Sequence, residues 1–214
     1  VSGKQPQLVE LSLTGQVLRS IPIKGAANLE GVALLEDGHV AVLDERQRKL
    51  SIFRLDADTR ELDSAQAVQQ IELGTVGGSN KGFEGLAWDK RNQRLLVANE
   101  KNPLRLFSLA CDGRQVSGPL QALGDLDDYL TDVAGLSVDP RSGQLLALSQ
   151  ESHLLLGLDP QLQAQSFLAL LPGLNGLTRR VPQAEGLALD NAGNLYVVSE
   201  RNLFFAFRRE VSAP

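Results

Sequence analysis

A short unit that reads as two apolar runs joined by a turn occurs four times in this chain. Its copies are NLEGVALLEDGHVAVLDE (28–45), GFEGLAWDKRNQRLLVANE (82–100), DVAGLSVDPRSGQLLALSQ (132–150) and QAEGLALDNAGNLYVVSE (183–200). The glycine near the start of each copy recurs about every 50 residues, and repeats of that length built from short strands are typical of β-propeller blades. The repeat therefore predicts an all-β fold in which each copy supplies the first two strands of a blade.

Further strand patterns follow each copy and complete the blades. Third strands are predicted over 49–56, 102–109, 152–159 and 202–209, and fourth strands over 67–73, 115–123 and 163–170. Near the start, strand patterns over 7–13 and 16–23 flank the hairpin signal Thr14-Gly15. We therefore predict one domain over residues 1–214, a five-bladed β-propeller of four-stranded antiparallel blades.

The first and last blades are expected to be incomplete in this chain. It opens with the third and fourth strands of one blade and ends with the first three strands of another. The sequence contains no methionine, so we expect that further sequence precedes Val1 and supplies the N-terminal strands of the first blade. A signal peptide or membrane anchor would also lie there.

Composition and charge restrict the kinds of partner. The net charge is −5, with acidic residues spread along the chain, which argues against binding to nucleic acid or to an anionic membrane surface. No apolar run approaches the length that spans a bilayer, so contact with a membrane is expected only through an upstream anchor. Cys111 is the single cysteine, so an internal disulfide is excluded. A monomer is expected.

Small and large residues alternate in the first strand of each copy. In the first copy, Gly31 and Ala33 form a row of small residues and Val32 belongs to a row of large ones. Because side chains two residues apart share a face of a strand, the two rows lie on opposite faces. This pattern fits the innermost strand of a blade, where neighbouring sheets converge and space is scarce.

Glutamates stand at both outer ends of the repeated hairpin. The inner set directly precedes the glycine and consists of Glu30, Glu84 and Glu185. The outer set ends the second strand and consists of Glu45, Glu100 and Glu200. In an antiparallel hairpin the start of one strand lies beside the end of the other. Both sets are therefore expected on one face of the disc, with the inner set near the axis.

Three carboxylates around one axis repel one another. At a separation of about 5 Å, each pair repels by roughly 3 kcal/mol at an effective dielectric constant of about 20. The repulsion of three such pairs approaches the whole free energy of unfolding of a domain, which is about 5–15 kcal/mol. A bound cation, raised pKa values or basic partners would each offset this repulsion. Calcium is favoured, because it accepts carboxylate and carbonyl oxygens in loose geometry. Zinc is disfavoured, because His39, His153 and Cys111 are scattered along the chain.

The third copy departs from this pattern. Ala134 stands where the inner glutamate is expected, and Gln150 replaces the outer one. Asp132 lies two residues before Ala134, on the same strand face, and is predicted to reach inward as a substitute. The predicted metal ligands are therefore Glu30, Glu84, Asp132 and Glu185.

The outer positions have two readings. Glu45, Glu100, Gln150 and Glu200 are predicted either to support the ligands from behind or to cap backbone N–H groups and pair with Arg46, Lys101 and Arg201. Arg179 and Arg180 fall in the last loop between blades, on the acidic face, and are candidates for binding an anionic ligand. The alternative is that this arginine pair balances surface charge.

These motifs resemble a known family. The segments NLEGVALLEDGHVAVLDER, GFEGLAWD with ANEKNP, DVAGLSVDPRSGQLLALSQES and VPQAEGLALDNAGNLYVVSE are similar to the bacterial SdiA-regulated family over about residues 18–207. The resemblance implies a five-bladed propeller, distantly related to NHL-repeat propellers, with a calcium site. It also implies a periplasmic or membrane-anchored protein of the cell envelope that faces the periplasm. A small residue after the Asp-Val pair, as at Ala134, is within the family pattern.

The sequence thus leads to one main hypothesis and two alternatives. The main hypothesis is a calcium-binding propeller that acts as a binding or scaffold module, with a small molecule or protein bound on the acidic face. The first alternative is a calcium-dependent hydrolase of the lactonase or esterase kind, in which the metal polarises a carbonyl or phosphoryl oxygen. The second is a protein-interaction platform that uses the opposite face and needs no metal. No catalytic residue is assigned.

Overall fold

The computed structural model describes residue 1 and residues 5–76, 82–200 and 202–209. It confirms an all-β protein whose five small sheets form a ring, a five-bladed β-propeller. The repeated units are the innermost hairpins of blades 2 to 5. No helix among the described ranges is both long and apolar enough to cross a membrane.

The first two blades are linked by a short parallel pairing. Blade 1 contains the antiparallel strands β1 (Gln7–Leu11) and β2 (Val17–Lys24). Blade 2 contains β3 (Leu29–Leu34), β4 (His39–Asp44), β5 (Lys49–Arg54), the short β6 (Leu62–Asp63), a 3₁₀ turn (Ser64–Gln66) and β7 (Gln69–Glu72). Strand β6 leaves its own blade and pairs in parallel with β2. The turn between β1 and β2 is the predicted one, with Gly15 at a φ of 83°.

The remaining blades repeat the same antiparallel order. Blade 3 contains β8 (Phe83–Asp89), β9 (Arg94–Asn99), β10 (Arg105–Cys111) and β11 (Val116–Asp125). Blade 4 contains β12 (Gly135–Val138), β13 (Leu145–Ser149), β14 (Leu154–Leu158) and β15 (Ala164–Ala169). Blade 5 contains β16 (Ala184–Leu189), β17 (Leu195–Ser199) and β18 (Leu203–Phe207). The sheets of the first and last blades have three strands each, β1-β2-β6 and β16-β17-β18, and the third strand of the first sheet is the short β6 from the following chain segment.

The hydrophobic core is divided among the contacts between consecutive blades. One buried cluster joins Leu8 and Ile21 of blade 1 to Val42 and Phe53 of blade 2. Three further clusters lie between blades 2 and 3, blades 3 and 4, and blades 4 and 5. Each blade is therefore held mainly by its neighbours, which fixes where the innermost strands meet.

The small residues of the innermost strands allow the next blade to approach closely. Cβ atoms built on three of the glycines would lie 2.8 Å from Leu86 Cβ (at Gly31), 2.7 Å from Leu136 Cγ (at Gly85) and 3.0 Å from Leu187 Cδ2 (at Gly135). In each case the small row of one strand faces a leucine in the large row of the next. The two rows predicted from the alternation are therefore the two sides of the blade-to-blade contact.

A side chain at Gly31 is expected to destabilise this contact. In Gly31→Ala the new methyl group would meet Leu86 Cβ at 2.8 Å and the carbonyl oxygen of Glu84 at 2.9 Å. Because backbone cannot move aside cheaply, we expect a loss of about 1–3 kcal/mol in the free energy of unfolding, measured by urea denaturation. The matched control is Gly186→Ala, which would meet only the tip of Val198 at 2.9 Å. Equal losses in both variants would contradict the packing role of Gly31.

Candidate metal centre

The three inner glutamates occupy equivalent irregular positions in their strands. The pairing of β3 with β4 skips Glu30, that of β8 with β9 skips Glu84, and that of β16 with β17 skips Glu185. Each glutamate is thus the extra residue of a β-bulge at the start of an innermost strand. A bulge bends the strand and redirects the extra side chain. The sequence pattern placed these glutamates in regular strands, so the bulge is a feature that only the structure shows.

The electrostatics of these carboxyl groups indicate that they face a shared region. Burial is the largest cause that raises the pKa of Glu84, to about 9, followed by the charges of Glu100, Glu30 and Glu185. Burial likewise raises the pKa of Glu185 to about 7, with Glu200 and Glu30 adding to the shift. The pKa of Glu30 is also raised, first by burial and then by Glu45. Each inner carboxyl group therefore experiences the charge of other glutamates in the two sets.

The carboxyl groups share this region without forming a closed cluster. Within the described ranges, no three side chains of His, Cys, Asp or Glu are grouped tightly enough to hold a metal ion. One of the three is restrained by a neighbour, because Asn28 Nδ2 donates a hydrogen bond of 2.6 Å to Glu30 Oε1. The arrangement is therefore a group of acidic side chains that influence one another's pKa values without forming a tight cluster.

Two of the outer glutamates are joined to other parts of the site by hydrogen bonds. Glu45 accepts one from Asn28 Nδ2 at 2.9 Å and another from the backbone N–H of Gly82 in the next blade at 3.1 Å. Glu200 accepts one from Gln183 Nε2 at 2.8 Å. The bond from Gly82 caps a backbone N–H of the next blade, whereas the other two come from side-chain amides. Whether the outer glutamates support metal ligands stays a prediction.

The third outer glutamate lies in an ion-pair network. Glu100 is buried and pairs with Lys101 Nζ at 3.4 Å, and the same ammonium group pairs with Glu151 at 2.6 Å. The backbone carbonyl of Glu100 accepts a hydrogen bond from Val133 in blade 4. The predicted partner Lys101 is therefore present. Of the other two predicted partners, Arg46 is exposed and Arg201 lies outside the described residues.

Asp132 is held by the loop that follows β13. It is 3% exposed and accepts hydrogen bonds from the Ser149 hydroxyl and from the backbone N–H groups of Gln150 and Glu151. Oδ1 accepts two of these bonds and Oδ2 accepts one, so the bonds fix the orientation of the carboxylate and leave an acceptor site on Oδ2. Its role as a metal ligand stays a prediction. Ala134 leaves the blade 4 side of the axis without a carboxylate at the glutamate position.

Arg179 and Arg180 lie in the loop between β15 and β16, and both side chains are exposed. Their predicted role in binding an anion stays a prediction. Sequence reasoning passed over two polar side chains that stand two residues before an inner glutamate, Asn28 and Gln183. A side-chain amide at this position in two of the four copies was the signal that could have identified them.

Comparison with known proteins assigns the chain to a family. The model of the SdiA-regulated family matches residues 1–208. The chain belongs to the SdiA-regulated family. This confirms the resemblance seen in the repeated motifs.

Solved structures similar to this SdiA-regulated chain share its fold at low sequence identity. The crystal structure of Myxococcus xanthus glutaminyl cyclase aligns with a TM-score of 0.60 and 20% identity, covering 92% of this chain and 69% of that one. A nidogen/laminin complex aligns with a TM-score of 0.57 and 16% identity, covering 89% and 68%. A protein of unknown function from Bacteroides caccae aligns with a TM-score of 0.51 and 12% identity, covering 97% and 71%. At these identities the comparison supports the propeller fold alone.

The raised pKa values predict an unusual dependence of stability on pH. In the unfolded chain these carboxyl groups titrate near 4.5, whereas in the folded protein the pKa of Glu185 is about 7 and that of Glu84 about 9. At pH values between the unfolded and the folded pKa of each group, the folded state retains a proton that the unfolded state has released. In the presence of a chelator, the contribution of these carboxyl groups to the free energy of unfolding should therefore be complete below about pH 4.5. It should be lost progressively as the pH rises to about 9.

The variant Glu84→Gln tests the source of this dependence. Because the amide cannot ionise, we expect the free energy of unfolding at pH 8 in chelator to rise by at least about 1 kcal/mol, on the scale of about 1.4 kcal/mol per pKa unit. Urea denaturation between pH 5 and 9 measures both the gain and the flatter profile. Glu72→Gln, at an exposed carboxylate on β7, is the control and should leave the profile unchanged. A wild-type stability that rises with pH over this range would contradict the assignment.

Proposed function

We propose that this SdiA-regulated protein binds a calcium ion at the centre of its acidic face, through Glu30, Glu84 and Glu185. The observation that supports the proposal is that three half-buried carboxyl groups on separate blades have raised pKa values, first because they are buried and then because of the charges of neighbouring glutamates. Such a group of like charges is costly for the folded protein unless a cation or protons neutralise it. A divalent cation would remove this cost at neutral pH.

The donor chemistry of the site fits a hard cation. All three candidate ligands offer carboxylate oxygens, which calcium and magnesium prefer, and the loosely placed side chains suit the flexible coordination of calcium better than the strict octahedron of magnesium. The nitrogen and sulfur donors lie elsewhere. His39 Nδ1 contacts the carbonyl oxygen of Glu36 near the turn of the first repeat, and Cys111 is buried at the end of β10.

The surrounding residues would orient the ligands and adjust their charge. Asn28 donates to both Glu30 and Glu45, so it joins an inner carboxylate to the outer one behind it. A bound cation would supply positive charge that keeps the inner carboxyl groups ionised. We propose that this centre stiffens the acidic face, which serves as a binding or scaffold surface for a small molecule or a protein in the cell envelope.

The second candidate function is a calcium-dependent hydrolase. Ala134 stands where the other repeats have glutamate, so a cation at this centre would have one carboxylate ligand fewer and could accept a substrate oxygen instead. A cation in that position would act as a Lewis acid toward a carbonyl or phosphoryl group. Three carboxylates would reduce this Lewis acidity, so we favour the binding module. The metal-independent platform on the opposite face is the third candidate.

Calcium is expected to stabilise the wild-type protein strongly. At a free concentration about 100 times its dissociation constant, calcium should raise the free energy of unfolding by about 2.7 kcal/mol at pH 7.5 relative to chelator. Calorimetric titration and urea denaturation measure the affinity and this gain. In Glu84→Gln the gain should be lost, whereas Glu72→Gln should keep it.

The same proteins distinguish the alternatives. Turnover of lactones or aryl esters that needs calcium and disappears in Glu84→Gln would favour the hydrolase over the binding module. The absence of any calcium effect on wild-type stability or heat of binding would overturn the metal centre and leave the metal-independent platform.

Asn28→Ala is expected to weaken calcium binding without removing a ligand. Loss of the amide releases Glu30 and Glu45 from their shared donor, and outer contacts of this kind typically change metal affinity by about 10–100-fold. Calorimetric titration measures the change, with Asn175→Ala, in the exposed loop after β15, as the matched control. Unchanged affinity in Asn28→Ala would show that the amide does not position the ligands.

A further inference from the structure

A crevice lies between blades 3 and 4, at the end of the strands opposite the glutamates. It has a volume of about 140 Å³ and is bounded by strands β9, β10 and β11 of blade 3 and by two turns of blade 4. Its apolar walls consist of Leu96, Leu106, Leu123, Val138, Leu145 and Leu162. Three of these leucines, at positions 96, 106 and 145, are buried. The crevice therefore reaches from the surface into the core contact between the two blades.

The volume of the crevice fits one small apolar group. An apolar cavity of about 150 Å³ binds benzene, so this crevice has room for one six-membered ring or for an aliphatic group of similar size. Pockets for larger organic ligands are about 300–1,000 Å³. The leucine walls would favour such a group by removing its surface from water.

The polar groups that still have hydrogen-bonding capacity at the crevice are donors. Asp89 is buried and already accepts hydrogen bonds from Arg94 Nε at 2.9 Å and from the backbone and side chain of Asn92. Asp159 likewise accepts three hydrogen bonds from the residues that follow it. Among the residues that the structure describes, the side chain of Arg94 donates only through Nε. Its two terminal nitrogens are therefore left for a ligand.

The charges around the crevice are balanced. The carboxylate of Asp89 forms an ion pair with Arg94, which also lines the crevice. The second carboxylate, Asp159, has a counterpart in Arg91, whose side chain lies against the crevice residue Gly143 and donates to the backbone carbonyl of Ser142. Like-charge repulsion therefore does not close the crevice to an anion.

One wall of the crevice is held in a strained conformation. Leu162 has a φ of 61° in a turn that its N–H closes on the carbonyl of Asp159, whereas Gly193 has a φ of 87° at the same place in the corresponding turn of blade 5. This conformation is unfavourable for a residue with a Cβ. The leucine side chain crosses to blade 3, where a Cβ on Gly124 would lie 2.8 Å from Leu162 Cδ1. Strain of this kind is concentrated at ligand sites.

We propose that this crevice binds a small organic carboxylate. Its apolar part, about as large as a benzene ring, would lie among the leucines, and its carboxylate would accept two parallel hydrogen bonds from the terminal nitrogens of Arg94. Arg94 Nε would keep its bond to Asp89, and the exposed Gln161 at the border would add a further donor. This site uses no residue of the acidic centre and needs no metal, so it goes beyond the proposed calcium function.

The experiment titrates the full chain with benzoate, benzyl alcohol and acetate. Benzyl alcohol keeps the ring without the charge, and acetate keeps the charge without the ring. We expect saturable binding of benzoate by calorimetry, and an affinity at least about tenfold lower for each of the other two compounds. The affinity for benzoate should be the same in calcium and in chelator. An affinity that requires calcium would assign the carboxylate to the acidic centre and overturn the proposal.

Variants of the protein locate the binding site. Leu123→Trp, at a 38% exposed wall residue, should fill the crevice and weaken benzoate binding at least about tenfold. The matched control is Leu18→Trp, at a 59% exposed position on β2, which should leave the affinity unchanged. Arg94→Met keeps an apolar stem and should weaken the binding of benzoate at least about tenfold without weakening that of benzyl alcohol.

Three results would overturn the proposal: no saturable binding of benzoate, equal affinity for benzyl alcohol, or equal effects of the two tryptophan variants. Unchanged benzoate affinity in Arg94→Met would do so as well. Because that variant leaves Asp89 without its ion pair, its melting temperature is measured first. If Arg94→Met does not fold, the comparison of Leu123→Trp with Leu18→Trp and of benzoate with benzyl alcohol decides the outcome.

Discussion

The close approach of innermost strands from neighbouring blades is the contact on which the rest of this molecule depends. It is possible because one row of each strand is nearly free of side-chain volume: a Cβ at Gly31 would lie only 2.9 Å from the carbonyl oxygen of Glu84 in the next blade. The same contact brings the starts of these strands toward the axis. Packing and the acidic centre are therefore two consequences of one geometric requirement.

That requirement has an electrostatic consequence. The residue before each glycine is drawn toward the axis with it, and in three blades that residue is a glutamate in a β-bulge. Packing alone does not need a charge there, since Ala134 occupies the position in blade 4. The raised pKa values of Glu84 and Glu185 indicate that these carboxyl groups lower the stability of the folded protein at neutral pH. Residues that reduce stability in this way are characteristic of functional sites.

Much of the architecture could be predicted, whereas the contacts of individual site residues could not. The repeat predicted β3 with β4 and β8 with β9 as hairpins, because strand periodicity and turn residues are local signals. The hydrogen bonds of Asp132 to Ser149 and to the loop after β13 were not predictable, because they depend on how that loop returns to the strand. The same holds for Asn28, whose amide joins Glu30 to Glu45 across the start of a hairpin.

By itself, the sequence determined the number of blades and the order of their strands, since both follow from a repeat period and from alternation along a strand. The tertiary structure alone decided which side chains are redirected by bulges and which glycines touch a neighbouring blade. It also decided that Val32 is 40% exposed, whereas the equivalent Leu86 and Leu136 are buried. The reason is that these properties depend on the distance between strands far apart in the chain, which no local pattern of residues encodes.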